Sequence, residues 1–363
     1  MNLKLNLNTQ SIRRSVIDIL SSFLVIMLPC SIGFSQNHLS ILVYHHVSNT
    51  TPPSTSISPE GFRSHLQFMK DNGITVVDLE NAVSALQKGL DLPDKAVAIT
   101  FDDGYESIYE TAWPILKEFS APFSFFISTD PINKSQQGYV TWGQIKEMHS
   151  QGVTIGNHTS DHAYLVQKTQ NESTSDWKQR AQKSIKKAHA DLTKQLGIAP
   201  RLFAYPYGEF SQELKEIVGG FDYIALGQHS GATGPLSDWL ALPRFPMGGI
   251  YSNLETARIK FTSRALPALD IEQWSPIVDT REPTAQLTID NINISKVGLQ
   301  ATSISCFLGG KEMEVKIRTN STHTNFSIAA RGKSIGRRWN YTCTAPAENN
   351  RYFWLSLPFI FLD

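Results

Sequence analysis

From about residue 40 to 270, short apolar runs alternate with segments whose apolar residues recur at helical spacing. The runs "ILVYH" (41–45), "ITVV" (74–77), "AVAITF" (96–101), "FSFFIS" (123–128), "VTIGNH" (153–158), "RLFAYP" (201–206), "YIALG" (223–227) and "LALPRF" (240–245) predict strands. Between the first of them, Ser58 and Pro59 open a helix with Phe62, His65, Leu66 and Met69 on one face. Asp78 caps a second helix, which carries Leu79, Val83 and Leu86. A third carries Ile108, Ala112, Ile115 and Leu116, and Thr141 with Gln144 forms a capping box ahead of Ile145 and Met148. A long, basic-faced helix from about 176 to 196 stops at Gly197. Strand and helix repeated this often predict an α/β domain of parallel strands wrapped by helices. Polar chemistry at the ends of several different strands favours a barrel over an open sheet.

After "SPIVDTREPT" (275–284) the pattern changes. "QLTIDNINI", "ATSISCFL", "EMEVKIRT", "NFSIAARG", "WNYTCTA" and "YFWLSLPFIF" alternate or are β-rich, with turn residues between them. Residues 284–363 therefore read as a small all-β module, a sandwich, following a first domain over 36–275. Trp339, Tyr341, Tyr352 and Trp354 read as its core, with a sugar-stacking platform as the alternative.

The N-terminus differs from both. Lys4, Arg13 and Arg14 precede the uncharged "ILSSFLVIML" (19–28), and small residues follow at Gly33 and Ser35. Residues 1–35 read as a secretory signal cut before Gln36; an uncleaved segment would instead associate the chain with a membrane. Pro29 argues against lipoprotein cleavage at Cys30. The protein is then exported: periplasmic, extracellular or on the cell surface. With export, Cys306 and Cys343, both in the β-module, suggest a disulfide, two separate buried thiols being the alternative. Charge adds only an exclusion: 33 basic against 33 acidic side chains make no electrostatic case for nucleic acid.

Candidate chemistry concentrates after three strands. In "ITFDDGY" (99–105) a strand ends in adjacent carboxylates, Asp102 and Asp103, and Gly104 permits a tight turn. Adjacent carboxylates repel, so a cation or a shared proton must be near, the plain alternative being a solvated turn. In "GNHTSDH" (156–162), His158 and His162 are four apart and can aim at one point. Imidazole with carboxylate is a common ligand set for zinc and similar ions. In "RLFAYPYGEF" (201–210), Arg201 offers a cationic fork, and Tyr207 is the first backbone N–H donor after Pro206.

These three segments, in this order, resemble the polysaccharide deacetylases of the NodB-homology group, carbohydrate esterase family four. The resemblance covers roughly residues 40–250 and implies a distorted (β/α) barrel that hydrolyses N-acetyl groups of glycans. It implies one divalent ion, zinc first with nickel, cobalt or iron as alternatives, on Asp103, His158 and His162. Asp102 would be the general base, Arg201 would pair with it, and the Tyr207 N–H would meet the oxyanion. The family's later Leu-x-Leu-His acid has no counterpart here, since His229 and His323 lie in other contexts. A subgroup that includes poly-N-acetylglucosamine deacetylases places a Tyr-His on the first strand, and "ILVYHH" resembles it. His45 is then the expected acid, with His46 facing elsewhere. The family's Asp-x-x-Asp-Trp is matched only partly by "LSDWLALPRF". Asp238 aligns poorly as the partner of the acid, Trp239 would wall the acetyl pocket or sit in the core, and Arg244 would position Asp102 or serve as an ordinary ion pair. His65, His149 and His189 read as surface or satisfied residues.

The expected function is a metal-dependent hydrolase that deacetylates an N-acetylglucosamine polysaccharide. The alternative is a catalytically silent glycan-binding or export-scaffold relative, and a deacetylase of small amides is a weaker third option. The polymer, the oligomeric state and the role of the β-module stay open on sequence.

Overall fold

The computed structural model describes residues 37–329 and 336–362; the secretory signal expected over residues 1–35 lies outside them. Strands β1 (Leu39–Tyr44), β2 (Ala96–Phe101), β3 (Phe123–Ile127), β4 (Thr154–Asn157), β5 (Leu202–Ala204) and β6 (Ile224–Leu226) lie side by side in chain order, all parallel. Every residue of β1, β2 and β3 is buried, which is why their sequences are apolar runs rather than alternations. Two polar residues within them are satisfied internally: Ser40 donates to Lys260 O (2.8 Å) and Thr100 to Leu42 O (2.7 Å).

The sheet curls, as a distorted barrel requires. Beyond β6 the chain returns through Leu242, bridged to Leu226, and then Phe245–Pro246, paired in parallel with β1. Residues 242–246 thus connect the last parallel strand to the first. The strand expected at 240–245 shrinks to those two residues, because Pro243 has no N–H for a ladder.

Helices α1 (Pro59–Asp71), α2 (Leu79–Gln87), α3 (Trp113–Glu118), α4 (Trp142–Ser150), α5 (Thr174–Leu196) and α6 (Gln212–Gly219) fill the connections. Their ends follow local chemistry. Ser58 and Asp78 accept backbone N–H groups at the starts of α1 and α2, both halves of the Thr141–Gln144 box form, and Gly197 ends α5 at φ 78°. Phe62, His65, Leu66 and Met69 are the buried face of α1. His65 is satisfied rather than free, with Nδ1 3.0 Å from the Tyr44 hydroxyl and Nε2 2.8 Å from Ser252 O. Among the described residues no helix is long and apolar enough to cross a membrane.

The C-terminal part contributes β7 (Thr284–Asp290), β8 (Ser305–Leu308), β9 (Val315–Thr319), β10 (His323–Ala329), β11 (Arg338–Ala347) and β12 (Arg351–Phe361). One sheet is β7-β10-β9; the other runs from Arg264–Ala265 through β12, β11 and β8 to Lys311–Glu312, with Ile277–Val278 also on β12. Leu287, Ile289, Phe326 and Ile328 from the first sheet share a core with Tyr341, Leu357 and Phe359 from the second. "QLTIDNINI" is only half strand: Asp290 accepts from Ile292 N and turns Asn291–Val297 into a helix, which Gly298 ends at φ 69°. The four aromatics do not form one platform. Trp339 and Tyr341 are buried, Trp354 packs edge-on against Phe245 of the barrel (5.3 Å), and Tyr352 is exposed.

Cys306 and Cys343 are directly paired positions of β8 and β11 and are joined by a disulfide. Replacing both by alanine should lower stability by about 2–4 kcal/mol through the freed unfolded chain. A reduced urea midpoint would show it, with a slope no shallower than the parent's because the freed chain exposes more surface when unfolded.

Candidate active site

The parallel strands deliver their polar residues to one end of the sheet, as parallel α/β sheets do. His45 follows β1, Asp102 and Asp103 follow β2, His158 follows β4, Tyr207 follows β5 and Gln228 follows β6. Several sit in left-handed backbone: Asp103 (φ 77°), Thr159 (φ 66°), His162 (φ 53°) and Tyr207 (φ 60°). Each such residue costs on the order of 1–3 kcal/mol, so the surrounding bonds must hold it. For the histidine turn they are visible. Asn157 Oδ1 accepts from Thr159 N (2.8 Å), Thr159 Oγ1 accepts from His162 N (3.1 Å), and the Asn157 amide is anchored on Ile185 O and the Tyr223 hydroxyl.

That turn and the Asp-Asp-Gly turn meet. Asp103, His158 and His162 offer one ligand atom each, all within 4.8 Å of one another. The Nε2 atoms of both histidines lie 3.1 Å from Asp103 Oδ1. His158 Nδ1 is 2.8 Å from Ala204 O, so Nδ1 carries the proton and donates it there. A neutral ring bonded in this way leaves its Nε2 lone pair for a divalent ion beside the carboxylate; a protonated one donates from Nε2 to Asp103, whose bond and charge prevail over burial and raise the His158 pKa. Two imidazoles and a carboxylate on one point therefore fit a divalent ion by their own donor chemistry. Burial disfavours the Asp103 charge, but the two histidines outweigh it and hold the carboxyl well below its usual range.

Asp102 is fully buried, where a lone carboxylate would be untenable. Its partner is Arg244, whose two terminal nitrogens each donate at 2.7 Å to a different carboxylate oxygen, while Nε donates to Gly227 O (2.7 Å). Gln228 Nε2 adds a third bond to Asp102, at 3.2 Å. Burial pushes the carboxyl up, and the Arg244 guanidinium prevails and holds it below the usual carboxylate range.

Arg201 does not play the part expected of it. It is largely exposed, and its nearest acid is Glu80 at 3.5 Å. It precedes β5, at the opposite strand end from the site, so its side chain cannot reach Asp102. Asp238 bonds the buried Lys215 (2.7 Å) rather than a catalytic group, and Trp239 packs on the core beneath β1 and β6.

His45 stands beside the carboxylates, with Nε2 3.5 Å from Gln228 Nε2. Burial lowers its pKa, and Asp102 and Asp103 oppose the shift. His46 turns to stack on Tyr105, ring centres 3.8 Å apart. The Tyr207 ring lies edge-on to His162 (4.5 Å) and flat on Tyr164 (3.7 Å), and its carbonyl accepts from Arg338 of the β-module. Next to it, Glu209 is buried and takes two bonds from Arg337, at 2.9 and 2.8 Å. Gln228 was missed in the sequence, although its place directly after "YIALG" was the available signal.

Residues 89–225 match the family model described as polysaccharide deacetylase. Over that stretch the chain is similar to polysaccharide deacetylases. It is 30% identical over 175 residues to the putative polysaccharide deacetylase YxkH of Bacillus subtilis, covering 48% of this chain and 58% of that protein. It is 26% identical over 227 residues to the poly-beta-1,6-N-acetyl-D-glucosamine N-deacetylase of Escherichia coli, covering 52% of this chain and 33% of that one. The chain thus spans less than two thirds of the length of either relative. The solved structure of IcaB from Ammonifex degensii superposes on 62% of this chain and 98% of its own with a TM-score of 0.55 and 26% identity. The matched stretch contains both carboxylates and both site histidines, while Arg244 lies beyond it.

Replacing Arg244 by methionine strands a buried charge and should cost about 3–5 kcal/mol, most of it recovered by adding Asp102→Leu. Arg201→Ala should stay within about 0.5 kcal/mol. Chemical unfolding of the three variants checks both.

Proposed function

We propose that the protein is a metal-dependent hydrolase that removes N-acetyl groups from an N-acetylglucosamine polysaccharide. The observation that carries this reading is the convergence of His158, His162 and Asp103 beside an ionised, arginine-held Asp102, at the strand ends of a deacetylase domain. The name of the E. coli relative supports the substrate class. The basic, apolar and small-residue order of residues 1–35 supports action outside the cytoplasm.

Asp103, His158 and His162 would hold the ion, and their donor set suits zinc. When bound, such an ion supplies an acidified water and polarises the acetyl carbonyl. Asp102 accepts the proton released as the carbonyl is attacked; Arg244 keeps it ionised for that task and Gln228 fixes its rotamer. The negative charge developing on the carbonyl oxygen is met by the Tyr207 amide, turned by the left-handed backbone of its loop. His45 gives a proton to the departing amine, which leaves poorly without one. Burial depletes the charged form of His45, and the neighbouring Asp102 and Asp103 carboxylates favour it. Positioning comes from the shell behind: His158 through Ala204 O, and Tyr207 through Tyr164 and Arg338.

Acetate release from N-acetylglucosamine polymers, with and without chelator, tests the reading. Asp102→Asn and His45→Ala should each lower turnover roughly 10²–10⁴-fold while metal stays bound. Full activity in His45→Ala would remove it as the acid. Freshly purified protein without stoichiometric metal would sink the enzyme reading as a whole.

A further inference from the structure

Two adjacent arginines carry the β-module's contact with the loop that follows β5. Arg337 and Arg338 stand at the start of β11, where Phe361 N donates to Arg337 O (2.9 Å) and Arg338 pairs with Ile360 in the ladder to β12. Their backbone is held by the module's own sheet, and their side chains cross to the barrel. Arg337 donates to Glu209 from Nε at 2.9 Å and from a terminal nitrogen at 2.8 Å, one bond to each carboxylate oxygen. Arg338 approaches the same carboxylate at 3.5 Å and donates from a terminal nitrogen to the carbonyl of Tyr207.

Glu209 makes these contacts more than packing. It is 1% exposed, and a buried carboxylate is costly unless a cation pairs with it. Among the described residues both of its ion pairs come from the module. Two residues earlier, Tyr207 occupies left-handed backbone at φ 60°, a conformation that residues with a Cβ seldom adopt. Local bonds fold the loop, from Gly208 N to Tyr205 O (2.8 Å) and from Glu209 N to Pro206 O (3.2 Å). The arginines then hold it at three points. Arg338 takes the Tyr207 carbonyl and Arg337 the Glu209 carboxylate. Arg337 also lies over the Tyr164 ring (5.0 Å), which is stacked flat on Tyr207 (3.7 Å).

We propose that Arg337 and Arg338 are positioning residues, through which the β-module holds the Tyr207 amide where the substrate's carbonyl oxygen gains its charge. The inference rests on the deacetylase reading for the chemistry that the loop serves, but not for the hold itself. It gives the module a part in turnover rather than in capture of the glycan.

The test is hydrogen exchange and steady-state kinetics on the full chain. The amides of Tyr205, Gly208 and Glu209 all have backbone acceptors and so report on the loop. In Arg337→Gln they should exchange about fivefold faster or more, with the amides of β1 to β3 unchanged. Acetate release from a β-1,6-linked N-acetylglucosamine pentamer should fall roughly 10–100-fold in kcat at unchanged KM, because the amide is needed only as charge develops. Arg337→Lys keeps a cation on Glu209 and should lose less. If Arg337→Gln does not fold, Arg338→Gln, whose side chain is 46% exposed, should show the same split. Unchanged loop exchange, faster exchange with kcat intact, or a loss that falls on KM instead overturns the proposal. A wild type that releases no acetate would remove the deacetylase reading, and the hold on the loop would then stand or fall on exchange alone.

Discussion

The pair between Asp102 and Arg244 is the constraint on which the site depends. Both side chains are at 0% exposure, and neither charge could stay there alone. Arg244 lies in the five-residue return, 242–246, that bridges β6 and runs along β1. The same guanidinium donates to Asp102 after β2 and, through Nε, to Gly227 after β6. One side chain thus ties closure of the sheet to the placement of the proposed base. A buried pair of this kind is weak as a source of net stability, but it specifies geometry, since a displaced partner leaves an uncompensated charge.

Around that pair the division of labour follows the strand ends. Left-handed residues let short turns present ligand atoms inward, and side-chain-to-backbone bonds from Asn157 and Thr159 hold one of those turns. The β-module bears on the same loops from outside, through Arg337 on Glu209 and Arg338 on Tyr207. The disulfide between β8 and β11 stiffens the sheet that carries these two arginines. Such contacts make the module part of the wall of the site.

Much of this was legible in the chain. Apolar runs and caps located nearly every element of the barrel, because strand burial and helix capping are local consequences of sequence. The Asp-Asp-Gly and His-x-x-x-His segments named the three converging side chains that could hold an ion, since each lies directly after a strand and a parallel sheet sends those ends to one place. Errors arose where contact is distant in sequence. Arg201 was a plausible partner for Asp102 by motif, yet it enters β5 from the wrong end. Arg244, 142 residues from Asp102, holds that place.

By itself, then, the sequence determined the order of elements, the change from alternating strand and helix to a β-rich pattern, and the identity of the carboxylates and imidazoles that gather at the strand ends. Only the tertiary structure decided which arginine neutralises the buried carboxylate, and that Gln228 touches it. It alone showed that Arg337 and Arg338 of the β-module reach Glu209 and Tyr207. The physical reason is that period and capping are written within a few residues, whereas charge pairing and cavity walls depend on which distant segments the closed sheet brings together.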